Sequence, residues 1–333
     1  MSKKAIIIRS AEKAQHQQPY LILSYYFLTP IEAPEAEVAT HKAFFARRDV
    51  MARIYISKQG INGTLSAAVD DAYAYMQWLK ARPEFAGIIF KAHEWHCHVF
   101  GRLAVKVKKE LVAYGEEISI EDQGEHVSPH KWKEMLESDD DKVILDIRND
   151  YEWEIGHFEG AEKPQCLTFR DFKAYAKKLK ERINAKNTKV MMYCTGGIRC
   201  EFFSSLLKND GFENVYQLDG GIINYGVQED SKHWKGKLYV FDDRLQIPIG
   251  DDETEVIGKC RHCECPIEVY YNCANMDCNE LFLCCPSCLE KFSGCCQESC
   301  QKADRVRPFK LVHTPFRRWH TYAETKEEIC KNK

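Results

Sequence analysis

Val190-Met191-Met192-Tyr193-Cys194-Thr195-Gly196-Gly197-Ile198-Arg199 carries a short apolar strand into a cysteine, a pair of glycines and then a helical pattern that runs to Asn209. The glycines let the backbone curl so that several N–H groups point inward, toward the sulfur. The positive end of the following helix and the charge on Arg199 both favour the ionised thiol. Cys194 is therefore expected to be a thiolate, with Gly196 and Gly197 shaping its loop and Arg199 acting electrostatically. The competing reading, a structural cysteine buried at a strand end, does not account for the loop.

On either side of this stretch strands and helices alternate. Ser128-Pro129 opens a helix, serine as cap and proline at the first position. Val143 to Asp146 reads as a strand, Arg170 to Asn184 as a helix and Val215 to Leu218 as a strand. Such alternation predicts an α/β domain with a parallel sheet covered by helices. Upstream, Leu21 to Leu28 is a strand, Pro34 to Arg48 a helix, Arg53 to Ser57 and Thr64 to Val69 strands joined by the turn Gly60-Ile61-Asn62-Gly63, and Asp70 to Lys80 a helix. With Leu103 to Lys108 as the final strand the order is βαββαβ, the ferredoxin-like or acylphosphatase-like α+β plan. The expected organisation is a polar tail over 1–17, the ferredoxin-like domain over 18–114, an acidic, glycine-containing linker over 115–126, the α/β domain over 127–235, and a Cys-rich extension over 236–333.

The residues around Cys194 resemble a known family. Leu145-Asp146-Ile147-Arg148, Glu152 and Gly156-His157-Phe158-Glu159-Gly160-Ala161 resemble the opening signature of rhodanese domains, and Tyr216-Gln217-Leu218-Asp219-Gly220-Gly221-Ile222 the closing one. Related cysteine phosphatases share that fold but place five residues between Cys and Arg. Four lie between Cys194 and Arg199, a smaller ring that suits a sulfur-sized adduct. The flanks narrow the resemblance. Gly60-Ile61-Asn62-Gly63-Thr64, Trp234-Lys235-Gly236-Lys237, Phe241-Asp242-Asp243-Arg244 and the Cys-rich tail are similar throughout to the TrhO family of bacterial tRNA uridine hydroxylases.

That resemblance implies an oxidoreductase in tRNA modification that forms 5-hydroxyuridine at wobble position 34, with molecular oxygen as co-substrate and the tRNA anticodon stem-loop as partner. The family's essential cysteine falls on Cys194, acting as thiolate or persulfide. Cys200, where many relatives carry serine, is a candidate resolving thiol or a neutral serine substitute. Two other functions stay open: a sulfurtransferase passing a persulfide sulfur to RNA or a protein acceptor, and a non-catalytic binding module. The intact Cys194 loop speaks against the last.

Composition bounds the rest. A chain of 333 residues can bury a large core divided among two or three domains. No stretch of about 18 apolar residues occurs, so no membrane span is expected. Two lysines precede Ile6-Ile7-Ile8, an apolar run too short for a signal-peptide core, and a cytoplasmic location is expected. Residues 1–110 carry 16 Lys+Arg against 10 Asp+Glu, residues 301–333 carry 9 against 4, and the middle carries 22 against 36. Basic ends on an acidic centre suit a polyanion partner. Arg47, Arg48, Arg53, Lys58, Lys106, Lys108, Lys109, Arg317 and Arg318 are candidate phosphate contacts, each with ordinary surface charge as its competing reading. Trp95, His96 and His98 could stack on bases or simply pack. No dinucleotide-binding glycine fingerprint appears, so no nucleotide cofactor is expected.

Of 16 cysteines, eleven crowd into Cys260 to Cys300. Cys260-x2-Cys263 and Cys285-x2-Cys288 have zinc-knuckle spacing, and Cys273-x4-Cys278 with Cys296-x3-Cys300 could form a second set. Structural zinc, disulfides and free thiols remain open alternatives, with Cys265, Cys284 and Cys295 left over.

Overall fold

The computed structural model describes residues 6–8, 16–113, 115, 122–163, 171–250 and 254–308. In the first domain, β1 (Ile6–Ile8) precedes β2 (Tyr20–Leu28), α1 (Pro34–Phe45), β3 (Val50–Ser57), β4 (Gly60–Ala68), α2 (Val69–Lys80), β5 (Phe90–Trp95) and β6 (Leu103–Val107). The sheet order is β1-β5-β2-β4-β3-β6. Period-2 alternation sends Leu21, Leu23 and Tyr25 of β2, with Ala52, Ile54 and Ile56 of β3, into one buried core under the two helices. The opposite face carries Ser24, Tyr26, Arg53, Tyr55, Asn62, Thr64 and Lys91, and it has no helix of this domain over it.

Two details differ from the sequence reading. The fourth strand of the βαββαβ plan is Phe90–Trp95, which pairs with β2. Leu103–Val107, expected in that place, is instead an added edge strand parallel to β3. Phe90 and Ala92 alternate with Lys91 and His93 as in a half-buried strand, but Leu103–Val107 alternates in the same way and competes for that place in the plan. Within the segment taken as a polar tail, Ile6–Ile8 extends the other edge by pairing with β5.

The second domain contains β7 (Glu125–Val127), α3 (Pro129–Glu137), β8 (Lys142–Asp146), α4 (Asp150–Trp153), β9 (Gly156–Phe158), α5 (Phe172–Arg182), β10 (Lys189–Tyr193), α6 (Ile198–Asn209), β11 (Val215–Leu218) and α7 (Gly221–Glu229). Strands β7-β11-β10-β8 form a parallel sheet, as expected. The end of the stretch read as linker thus belongs to the sheet as β7. Along β10 the side chains split between two cores: Val190, Met192 and Cys194 face α5 and α6, whereas Met191 and Tyr193 face α3 and α7. Ser128 caps α3 by accepting from the Lys131 N–H at 3.2 Å.

Beyond α7, β12 (Trp234–Gly236) pairs with β9, and β13 (Leu238–Tyr239) pairs with β14 (Gln246–Ile247). A hairpin of β15 (Tyr270–Asn272) and β16 (Leu281–Leu283) precedes the short helices α8 (Pro286–Lys291) and α9 (Glu298–Gln301). This Cys-rich unit packs on the second domain through Ile155, Tyr239, Leu245, Tyr270 and Leu283. Among the described residues no helix is long and apolar enough to cross a membrane.

Candidate active site at the Cys194 loop

Cys194 lies just past β10 and is 1% exposed. The Gly197 N–H donates to its sulfur at 3.1 Å. Gly197 has φ +109°, and a side chain there would meet the Tyr26 hydroxyl at 2.9 Å, so the loop requires glycine at this point. Behind the loop, the start of α7 holds the backbone: the Ile222 N–H donates to the Cys194 carbonyl at 3.0 Å and the Ile223 N–H to that of Thr195 at 3.2 Å. Gly221 makes that approach possible, since a Cβ would come within 2.5 Å of the Cys194 carbonyl oxygen.

Burial pushes the Cys194 thiol up. The Cys200 thiol, the Arg199 charge and the N–H groups of Gly197 and Arg199 outweigh it and bring the value down to about 5. Cys200 moves the other way, driven well up by burial and by the neighbouring Cys194, and so remains a thiol that donates to the thiolate. Arg199 is fixed by a fork onto Glu152, at 2.6 and 2.8 Å, and reaches Thr195 Oγ1 at 3.3 Å. Burial alone would raise Glu152, but Arg199 prevails and holds its carboxyl below the usual range. Glu152, quoted in the sequence only as part of a signature, is therefore the group that orients Arg199.

Three neighbours were given no role at the site by the sequence reading, Phe241 having been quoted only within a motif. Lys91, on β5, donates to the Gly196 carbonyl at 2.5 Å. Tyr26, on β2, donates to Glu201 Oε1 at 2.6 Å, and its ring lies 5.5 Å from the Lys91 ammonium. Phe241 is 41% exposed, with the Arg199 guanidinium 5.9 Å from its ring, and the Arg53 Nη1 donates to its carbonyl at 2.9 Å. The helix-free face of the first sheet thus closes over the loop. Strand alternation was the available signal: Lys91 lies opposite in sense to Phe90 and Ala92, Tyr26 to Tyr25.

The surface cations divide. Lys58 follows β3, and Lys108 and Lys109 follow the parallel strand β6, so these three gather at one end of the sheet. Arg47 and Arg48 lie before β3, roughly 30 Å away at about 3.3 Å per residue. Arg48 is engaged with Asp71 at 3.0 Å. Lys106 pairs in register with Tyr55, beside Arg53. Arg317 and Arg318 lie outside the described residues. Trp95, His96 and His98 are taken up by local packing: Trp95 lies against His96 and under Arg244, and His98 bonds Ser66 and Asp49.

Residues 20–111 match the UPF0176 acylphosphatase like domain, 128–226 the Rhodanese-like domain and 235–301 the Rhodanase C-terminal family. A protein of Protochlamydia amoebophila (strain UWE25) named tRNA uridine(34) hydroxylase is 55% identical over 309 residues, covering 92% of this chain and 97% of that protein. The chain belongs to the tRNA uridine(34) hydroxylase family. Proteins of the same name from Chlamydia abortus (strain DSM 27085 / S26/3) and Chlamydia pneumoniae are each 50% identical, over 313 and 308 residues, covering 93% and 91% of this chain and 96% and 95% of theirs.

In this hydroxylase family member the Cys-rich unit forms two clusters that could hold metal ions. Cys260, Cys263, Cys285 and Cys288 bring their sulfurs within 4.8 Å of one another, and so do Cys273, Cys278, Cys296 and Cys300. The pairs interleave along the chain, first with third and second with fourth. Sulfurs 3.7 Å apart (Cys263 with Cys285, Cys278 with Cys296) match the roughly 3.8 Å edge of a tetrahedron with zinc–sulfur bonds of about 2.3 Å. Among the described residues the cysteines are free rather than disulfide-bonded, and Cys265, Cys284 and Cys295 stand outside both clusters. His262 is outside too, stacked on Phe292 at 3.7 Å.

Proposed function

We infer that this protein hydroxylates uridine 34 of tRNA, with Cys194 as its working group. The observation that carries the reading is an intact, buried Cys194 loop, its sulfur lowered to about 5, in a chain that is 55% identical over nearly its full length to a tRNA uridine(34) hydroxylase. The substrate is the anticodon stem-loop, whose unpaired bases can be splayed out to reach a recessed group. Arg53, Lys106 and Lys108 are the phosphate contacts on the side nearest the loop, and the exposed ring of Phe241 is placed for stacking.

The thiolate adds to C6 of uridine, which places the charge on the C4 oxygen as an enolate and makes C5 electron-rich. The loop N–H groups and Arg199 stabilise developing negative charge. Molecular oxygen is the oxidant at C5, and the thiolate then leaves C6. Conversion of C5–H to C5–OH with release of one oxygen atom as water consumes two electrons and two protons. The Cys194 thiolate and the Cys200 thiol supply the two electrons and one proton when they close to a disulfide, solvent supplies the second proton, and an external thiol reopens the disulfide. The two four-cysteine clusters hold structural zinc, which takes no part in the reaction.

Nucleoside mass spectrometry of tRNA from a deletion strain, with and without the complementing gene, tests the reading. Loss of 5-hydroxyuridine derivatives, restored by the intact gene and not by Cys194→Ala, is expected. Loss of a thiolated base instead would reassign the protein as a sulfurtransferase, and no change at all would leave a binding module.

A further inference from the structure

The Gly196 carbonyl and the Gly197 N–H are the two ends of one peptide group. Lys91 Nζ donates to the carbonyl end at 2.5 Å, and the N–H end donates to Cys194 Sγ at 3.1 Å. Ammonium, peptide and thiolate are therefore coupled in series. A cation on the oxygen draws electron density toward it and leaves the N–H a stronger donor, because hydrogen bonds in a chain polarise one another. Burial magnifies the effect, since Lys91 is 6% exposed and Cys194 1%.

We propose that Lys91 is a positioning residue of the active site, reaching across from the first domain and acting through the Gly196–Gly197 peptide to hold Cys194 as a thiolate. The surroundings fit such a role. Burial lowers Lys91 to about 8, while Cys194, Asp219 and Glu201 pull it upward, so the ammonium persists at neutral pH beside the anion it serves. Tyr26 covers the same loop from the first domain and is kept neutral by burial and by Glu201. From the second domain the groups facing the sulfur are Arg199, the Cys200 thiol and the N–H groups of Gly197 and Arg199. The carboxylates of Glu201 and Asp219 bear on Lys91 rather than on the loop N–H groups. Lys91 is thus a second cation at the loop besides Arg199, supplied by the first domain, which becomes part of the catalytic unit as well as a surface for RNA.

This inference rests on Cys194 being the working group, but its test reads ionisation rather than hydroxylation. The rate of iodoacetamide alkylation at Cys194 is followed against pH in the full-length protein by quantifying the Cys194 peptide. Lys91→Met keeps the apolar stem and removes the charge. Its alkylation midpoint is expected to rise by at least about one unit, a tenfold loss of thiolate at a fixed pH below the midpoint. Lys91→Arg keeps the charge and is expected to restore most of the shift. Lys91→Gln, a neutral donor, serves if Lys91→Met does not fold, and it is expected to shift in the same direction. A midpoint unchanged from wild type in a folded neutral variant overturns the proposal, even if hydroxylation falls. A shifted midpoint in a protein whose Cys194→Ala variant still hydroxylates tRNA would uphold Lys91 and defeat the functional reading instead.

Discussion

At the scale of single residues, the site separates two cysteines by environment. Cys194 and Cys200 are both buried, yet one is held near 5 and the other driven well up. Ionisation of Cys194 raises activity as pH rises through about 5, and deprotonation of Lys91 removes its charge as pH passes about 8. Loss of that charge raises the Cys194 value by about one unit, which still leaves the thiol ionised above 8, so hydroxylation of an anticodon stem-loop is expected to rise through about 5 and hold level past 8. In Lys91→Met the acid limb should move upward by about one unit, and in Lys91→Arg, whose guanidinium keeps the charge, it should stay near its wild-type place. An acid limb that stays in place in Lys91→Met would assign it to another group. Cys200→Ser preserves a donor to the thiolate but cannot form a disulfide. It is expected to leave the alkylation midpoint of Cys194 nearly unchanged while lowering turnover by at least about tenfold, the range lost when one participating group is removed. Wild-type protein after one turnover without reductant should yield a Cys194–Cys200 crosslinked peptide, and turnover without that peptide would end the redox role.

At the scale of elements, what could be read from the sequence was what is local in it. The strand-loop-helix around Cys194 and the four Cys pairs are encoded by spacing over a few residues, and the cysteines assemble in the two sets that spacing indicated. Strand β5 carries the local alternation of Phe90 and Ala92 with Lys91 and His93, but what Lys91 meets across the domain boundary is a surface that no local pattern describes. Glu125-His126-Val127 is too short to show a period. The Cys-rich unit also bears on the Cys194 loop. The Tyr270 hydroxyl donates to the Tyr151 carbonyl, next to Glu152, and Tyr270 packs with Ile155 and Tyr239. With both clusters filled, freshly purified protein should contain about two equivalents of zinc, by analogy with tetrahedral sites of four thiolates. Stripping the metal with a chelator is expected to lower the melting temperature and, by loosening α4, to weaken the Glu152–Arg199 fork and raise the Cys194 midpoint. Under about half an equivalent of zinc, with none regained on dialysis, would mean that the thiols need no metal.

At the scale of the molecule, the helix-free face of one sheet meets the Cys194 loop of the other domain, and the rows crossing that face offer RNA a route to a recessed sulfur. Lys91, Ser24, Thr64 and Arg53 lie in one row across β5, β2, β4 and β3, and Tyr26, Asn62, Tyr55 and Lys106 lie in the next. Strands about 4.8 Å apart place Lys91 and Arg53 roughly 14 Å from each other, about two nucleotides of extended backbone. One end of the first row is spent on the Cys194 loop and the other on Phe241. Phosphates flanking a splayed-out base could therefore meet Arg53 and Lys106 while the base approaches the loop past Phe241. Binding of an anticodon stem-loop to the Arg53→Ala, Lys106→Ala double variant should weaken. The slope of log affinity against log salt should also become shallower by roughly 1.4, at about 0.7 for each single-strand phosphate deprived of its cation. Arg47→Ala with Arg48→Ala, at the far end of β3, should leave that slope in place. If the far-end pair changes the slope and the Arg53 and Lys106 pair does not, the RNA runs along the opposite edge, and Phe241 loses its part in receiving the base.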